Sequence, residues 1–309
     1  MATFAHGIMF HHFHGPGHRS SQGSISGAQL ADLIEFVGHA RILQAREWLA
    51  RAQAGKLGRN DICLTFDDSL RCQYDIALDV LREYDLTAFW FVYTSVLQGC
   101  LERLEVYRKF RHDAFETMEM FYDAFFETVL KGEGAAQVRE ALKRTEATSY
   151  LSEFSFYTAE DRRFRYMRDE VLGPQRYNAV MDRMMAEAGV DPMAVARGLW
   201  MDADSLLDLH RSGHVVGLHS HTHPTRLEHL EPAEQGREYR KNFECLSGLL
   251  GEAPVAMSHP SNSYTQETLA ILRALGIRVG FRANMAMGLR SVLELPREDH
   301  VNVLKEMMR

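Results

Sequence analysis

Apolar positions in this chain fall into short continuous runs, separated by longer stretches in which they recur at helical spacing. Gly7-Ile8-Met9-Phe10 predicts a buried strand, and Leu30, Leu33, Ile34 and Val37 predict a helix capped by Ser26. A second helix is expected around Glu47-Trp48-Leu49, before the polar linker 55–61. Ile62-Cys63-Leu64-Thr65-Phe66 reads as a strand buried on both faces, Ile76, Leu78, Val80 and Leu81 as a helix, and residues 87–93 as another buried strand. Strand, helix, strand units of this kind build parallel sheets, which gather ligands at the carboxyl ends of their strands.

Residues 96–200 change character, with helical patterning and no strand run. Phe115, Met118, Tyr122, Phe125 and Val129 lie on one helical face ended by Gly132 and Gly134; further helices are expected from Thr158 and after Asp191-Pro192. An aromatic stripe of this type is ordinarily packing, and the segment reads as a helical insertion or lid. Alternation then resumes. A helix capped by Asp202, a strand 214–218, a helix 234–250, a strand 254–257, a helix 265–275, a strand 277–281 and a last run at 293–297 are predicted in turn. The expected architecture is one α/β domain spanning residues 1–309 and interrupted by the insertion.

Composition adds exclusions. Apolar content of 46% and charged content of 25% are those of a folded globular chain. A net charge of -7 without a basic stripe argues against nucleic-acid binding. No apolar run reaches the roughly 20 residues of a membrane span. The first residues lack a secretion-signal pattern, so a cytoplasmic protein is expected. Cys63, Cys72, Cys100 and Cys245 show no paired ligand spacing and read as structural thiols.

Two polar clusters stand at the ends of predicted strands. Asp67 and Asp68 follow Phe66 directly. Adjacent side chains in extended backbone point opposite ways, so one carboxylate suits a metal and the other a base; a helix N-cap pair is the plain alternative. His219, His221 and His223 follow the strand ending at Leu218. The i, i+4 spacing of His219 and His223 places both on one side of a helical turn. A surface histidine pair is the ordinary source of such spacing, but two imidazoles and a carboxylate make a three-ligand catalytic metal site. A third group, His11, His12, His14 and His18, follows the first strand, as a solvated loop or as part of the site.

Thr65-Phe66-Asp67-Asp68-Ser69 resembles the TFDDG signature of polysaccharide deacetylases of the NodB-homology group, carbohydrate esterase family 4, and His219-Ser220-His221-Thr222-His223-Pro224 resembles their H-[ST]-x-x-H-P motif. The resemblance covers most of the chain outside the insertion. It implies an irregular (β/α) barrel in which Asp67 is the catalytic base and Asp68, His219 and His223 hold a divalent metal, Zn²⁺ or a similar ion, with no role for His221. Ser258-His259-Pro260 occupies the third motif's place, but Ser258 stands where the family has arginine. Leu295-Pro296-Arg297 resembles a later motif, which makes Arg297 the candidate for the missing charge. The C-terminal histidine motif that carries the acid is absent, and His300 is the only late histidine. Met9-Phe10-His11-His12 resembles the start of a permuted branch that takes its acid from the N-terminus, so His11 is the first candidate, with His12 and His14 behind it. His12, His14, His259 and Arg297 are the expected substrate-side residues.

The implied activity is removal of an N-acetyl or N-formyl group from an amino sugar, nucleotide- or lipid-linked, in cell-surface polysaccharide biosynthesis. The alternatives are an inactive glycan-binding homologue and a metal amidohydrolase acting on a non-sugar amide. Ser69 in the usual glycine position is tolerable unless that position requires a positive φ.

Overall fold

In the computed structural model, which describes residues 4–132, 134–152, 157–286 and 291–309, seven strands pair in parallel: β1 (His6–Phe10), β2 (Ile62–Phe66), β3 (Phe89–Val92), β4 (Val215–Leu218), β5 (Ala256–Ser258), β6 (Val279–Phe281) and β7 (Arg297–Asp299). Their order is β6-β5-β4-β3-β2-β1-β7. The two edges nearly meet. Leu295, just ahead of β7, bridges Phe281 of β6, with Leu295 N–H donating to Gly280 O and Arg282 N–H to Leu295 O, both at 2.8 Å. The result is the expected (β/α) barrel, almost closed, with helices around it.

Every residue of β1 to β6 is buried, and period-two alternation sorts the side chains into two layers. One layer faces the helices. Ile8, Phe10, Leu64, Phe66, Trp90, Val92, Val216 and Leu218 share a core with Leu30, Leu33 and Ile34 of helix Gly27–Val37 and with Leu206, Leu246 and Leu272 of later helices. The other layer fills the barrel. Cys63, Phe89, Phe91, Val215, Ala256, Val279 and Phe281 pack with Trp48 and Ala52 of helix Ala45–Gln53. In β2 the inward series Cys63, Thr65 continues one step past the strand to Asp67.

Glycine makes room where backbones or a long side chain cross this interior. A Cβ on Gly217 would stand 2.5 Å from the Ala256 carbonyl oxygen, and one on Gly7 would stand 3.1 Å from Cγ of Arg297 and 3.2 Å from a Thr65 methyl. The space above Gly7 is therefore the path of the Arg297 side chain.

The chain forms two compact units, residues 1–102 with 198–309, and Arg103–Arg197. The second unit is helical, as the patterning predicts, with two differences. Its helix Met118–Lys131 is capped by Thr117, so Phe115 lies outside it, and the buried face is Phe121, Tyr122, Phe125 and Val129. A 15-residue helix, Gly173–Glu187, buries Tyr177, Met181, Met184 and Met185, and was not expected. Its apolar stripe is largely methionine, set among arginines and polar residues that mask the periodicity. The four cysteines are free thiols. Among the described residues no helix is long and apolar enough to cross a membrane.

Candidate active site

The inward-facing positions at the carboxyl ends of the strands converge on Asp67. Its carboxylate is 2% exposed and accepts a fork from Arg297, Nη1 to Oδ1 at 2.7 Å and Nη2 to Oδ2 at 2.8 Å. Arg297, which begins β7, is 0% exposed; its Nε donates to Arg282 O at 2.7 Å, and its guanidinium lies 5.9 Å from the Phe91 ring centroid. The Ser258 hydroxyl donates to Asp67 Oδ1 at 3.1 Å. Oδ2 is the oxygen turned toward the imidazoles, with His219 Nε2 at 3.9 Å and His11 Nε2 at 4.0 Å. Burial alone would push the Asp67 carboxyl up. The Arg297 charge and hydrogen bonds, together with the His219 and His11 imidazoles, outweigh it and hold the group below the usual carboxylate range.

Asp68 turns away from this pair, toward the second histidine cluster. Its Oδ1 lies 3.4 Å from His219 Nε2 and 3.3 Å from His223 Nε2, yet it is buried without a hydrogen-bond partner. One ligand atom from each of Asp68, His219 and His223 lies within 4.8 Å of the others. His219 Nδ1 sits 2.8 Å from the Ser258 hydroxyl and 3.0 Å from the Ser258 carbonyl, which fixes the ring and leaves Nε2 for the centre of the cluster. Burial opposes the ionised form of Asp68, but the neighbouring His223 and His219 imidazoles hold its carboxyl well below the ordinary value. A buried carboxylate oxygen facing two imidazole nitrogens, with no proton donor of its own, suits a divalent cation. These residues therefore fit the metal that the motifs imply.

The backbone that brings the three together is not helical. Asp68 (φ 75°), Ser69 (φ 49°), Ser220 (φ 61°) and His223 (φ 55°) all occupy left-handed conformations, so the i, i+4 pair meets through a folded loop and not through a helical turn. Ser220 Oγ accepts from the His223 N–H at 3.1 Å. Asn242, reaching over from helix Pro232–Leu250, accepts from the His219 N–H at 3.0 Å and donates to Val92 O at 2.9 Å. His221 points elsewhere, its Nδ1 2.9 Å from the Thr94 hydroxyl, and so holds the loop.

The substrate-side expectations change. Arg297 is too deeply buried to touch a substrate and is instead the partner of Asp67. His259 is 1% exposed, with Nε2 2.9 Å from Leu293 O and its ring stacked 4.0 Å from Tyr264, so it packs the β5 exit. His14 Nδ1 is bonded to Ser24 Oγ at 2.9 Å within the N-terminal loop. His11, with 30% of its side chain exposed, does face Asp67; His12 lies beside it, the rings 6.3 Å apart.

Three further residues belong to this cluster. Ser258 touches both Asp67 and His219, and Tyr93 lies 5.2 Å from the His223 ring while accepting from Trp200 Nε1. Buried Gln73 donates to the carbonyls of His11 (2.7 Å) and Asp67 (2.6 Å), clipping the ends of β1 and β2 together. Ser258 and Tyr93 carry a sequence signal, since each extends an inward-facing strand series; Gln73 carries none.

A parallel barrel that gathers carboxylates and imidazoles at the carboxyl ends of its strands has the layout of a barrel enzyme. Residues 54–118 and 173–280 match the polysaccharide deacetylase family. No curated protein matches the chain. Among solved structures it is similar to the Streptococcus pyogenes deacetylase PplD in complex with acetate (15% identity, TM-score 0.56, covering 99% of each chain). It is similar also to IcaB from Ammonifex degensii (15% identity, TM-score 0.53, covering 96% of this chain and 91% of that one). The BpsB deacetylase domain from Bordetella bronchiseptica has the same fold (12% identity, TM-score 0.52, covering 95% and 94%). With more than half of its length matched, the chain belongs to the polysaccharide deacetylase family, whose enzymes remove N-acetyl groups from carbohydrate.

Proposed function

We propose that this chain is a divalent-metal-dependent hydrolase that removes an N-acetyl or N-formyl group from an amino sugar. The observation that supports it best is the unequal state of two adjacent carboxylates, Asp67 forked by Arg297 and Asp68 left with an unpartnered oxygen facing His219 and His223. Asp68, His219 and His223 would hold Zn²⁺ or a similar ion, which when bound supplies Lewis acidity toward the acyl carbonyl and the attacking water.

The chain's own residues divide the proton work. Asp67 Oδ2 takes the proton of the water as its oxygen bonds to the acyl carbon. Arg297 and Ser258 occupy Oδ1 and keep the carboxylate in one orientation. His11, in its protonated form, donates from Nε2 to the nitrogen as the carbon–nitrogen bond breaks, so that acetate and a free amine leave. His12 is the remaining N-terminal candidate for contact with the sugar.

In the same proposal residues 96–200 are a helical insertion within a single deacetylase domain, supported by the interruption of the family match between residues 118 and 173. The sugar would be a nucleotide- or lipid-linked intermediate of cell-surface polysaccharide, handled in the cytoplasm. The test is acetate release from N-acetylglucosamine oligomers by zinc-loaded protein. We expect turnover that falls by about 10²- to 10⁴-fold in Asp67→Asn, the range of a general base. Binding of the oligomer with no acetate released would overturn the proposal in favour of a glycan-binding homologue.

A further inference from the structure

We propose that the helical unit Arg103–Arg197 carries a binding site for a phosphoryl or pyrophosphoryl group, built by Arg111, Arg165 and Arg168. This site is independent of the deacetylase chemistry.

The starting observation is a group of arginines at buried and half-buried positions. Arg111, on helix Arg103–Ala114, is 8% exposed. Arg165 lies on helix Ala159–Tyr166, and Arg168 lies in the π-helical segment Met167–Leu172 that continues it. The Nε atoms of Arg111 and Arg165 are buried without a hydrogen-bond partner. Only Arg168 of the three is ion-paired among the described residues, donating to Asp169 from Nε at 2.6 Å and from Nη2 at 2.9 Å.

Two carboxylates among the described residues of this unit, Asp169 and Asp161, have other partners. Asp169 accepts the Arg168 fork, with Tyr150 also donating to it at 3.2 Å. Asp161 accepts from the Tyr122 hydroxyl on Oδ1 and caps its own helix on Oδ2, from the Thr158 N–H at 3.0 Å. The donors named for these two carboxylates are Arg168, Tyr150, Tyr122 and the Thr158 N–H, and neither carboxylate is ion-paired with Arg111 or Arg165. Burial foremost, with Arg168 adding to it in each case, lowers both groups from the ordinary arginine value, and among the described residues neither is ion-paired with a carboxylate.

The rings around these groups set their orientation. The Arg111 guanidinium lies over two faces, 5.4 Å from the Phe121 centroid and 5.2 Å from that of Phe164, and Arg165 lies 4.0 Å from the Tyr157 centroid. Stacking fixes a guanidinium's plane and leaves its N–H edges free for an in-plane acceptor. Two such edges beside a third, forked arginine offer more donors than one carboxylate accepts. A phosphoryl group, with several charged oxygens at tetrahedral angles, matches them. A π-helical segment within the cluster is in keeping with a binding role.

The experiment is calorimetric titration of the full-length protein with inorganic pyrophosphate, in chloride buffer of low ionic strength. Saturable binding at one site is expected, weakened by about tenfold or more in Arg165→Gln and in Arg111→Met, with a rise in melting temperature on pyrophosphate addition that the variants lose. Arg163→Gln, an exposed position on the same helix, is expected to bind as wild type. Should Arg111→Met fail to fold, Arg165→Gln decides. Uridine diphosphate and phosphatidylcholine vesicles containing phosphatidic acid separate a soluble source from a lipid-borne one, and binding of either that is lost in Arg165→Gln supports the site. Absence of saturable binding by wild type, or binding unchanged in Arg165→Gln, would overturn it. So would binding lost in Asp68→Asn instead, since that would place the anion at the metal cluster.

Discussion

Asp67 and Asp68 are neighbours in the chain with different surroundings, and each difference has a measurable consequence. Replacing Arg297 by Met leaves Asp67 buried without its cation, and the loss of stability expected for breaking such a pair is about 3–5 kcal/mol, read by urea unfolding. The same change removes what holds the Asp67 carboxyl down, so the acid limb of kcat/KM is expected to move to higher pH; a limb that stays in place would disconnect Arg297 from the base. In the intact protein the sign runs the usual way for a carboxylate. The Asp67–Arg297 contribution to stability is present above the ordinary aspartate value of 3.8 and is lost as pH falls through the lowered folded value. For the proposed metal ligands, His223→Ala is expected to lower bound zinc on elemental analysis, whereas His14→Ala, whose ring is tied to Ser24, leaves it unchanged. That Asp67 and Asp68 face different surroundings was readable beforehand because period-two strand geometry separates adjacent side chains. The pairing with Arg297 was readable only as a motif, since the partners stand 230 positions apart in the chain.

At the scale of elements, the turn after β2 combines two costs at one residue. Ser69 has φ 49°, the condition under which its replacement of glycine matters, and its hydroxyl is buried without a partner. Ser69→Gly is therefore expected to stabilise the protein by about 1 kcal/mol, seen as a higher melting temperature. Gly217 in β4 lies in the opposite situation. An added Cβ meets the Ala256 carbonyl oxygen at 2.5 Å and the Phe91 ring at 3.0 Å, so Gly217→Ala forces β4 and β5 apart just below His219 and Ser258. Destabilisation of about 1–3 kcal/mol is expected, with loss of zinc affinity measured beside it. Strands and capped helices were legible in sequence because their patterns are local: Ser26, Thr158, Asp191 and Asp202 all cap the helices they precede. The loop carrying His223 was misread as a helical turn because serine and histidine in left-handed backbone leave no compositional mark, as glycine would.

For the whole molecule, two buried histidines, His214 and His259, make the fold sensitive to acid. Burial pushes His259 down to about 3 and, with Arg82 adding, His214 down to about 4. Both take up protons on unfolding at pH values below the ordinary 6.5, so stability is full above that value and falls as pH drops toward 4. The expected slope reaches about 1.4 kcal/mol per pH unit for each group, checked by urea unfolding at a series of pH values with His259→Gln as the comparison. The sequence by itself determined the alternation of strands and helices, the two clusters at strand ends and the family resemblance, because each depends on residues close together in the chain. Tertiary structure alone decided which distant groups meet. Closure of the barrel carries Arg297 over Gly7 to Asp67 and brings Ser258 between the base and His219. It also separates His11 from His14 and buries His259. Those outcomes depend on strand order and inward register, which are set by packing across the whole sheet.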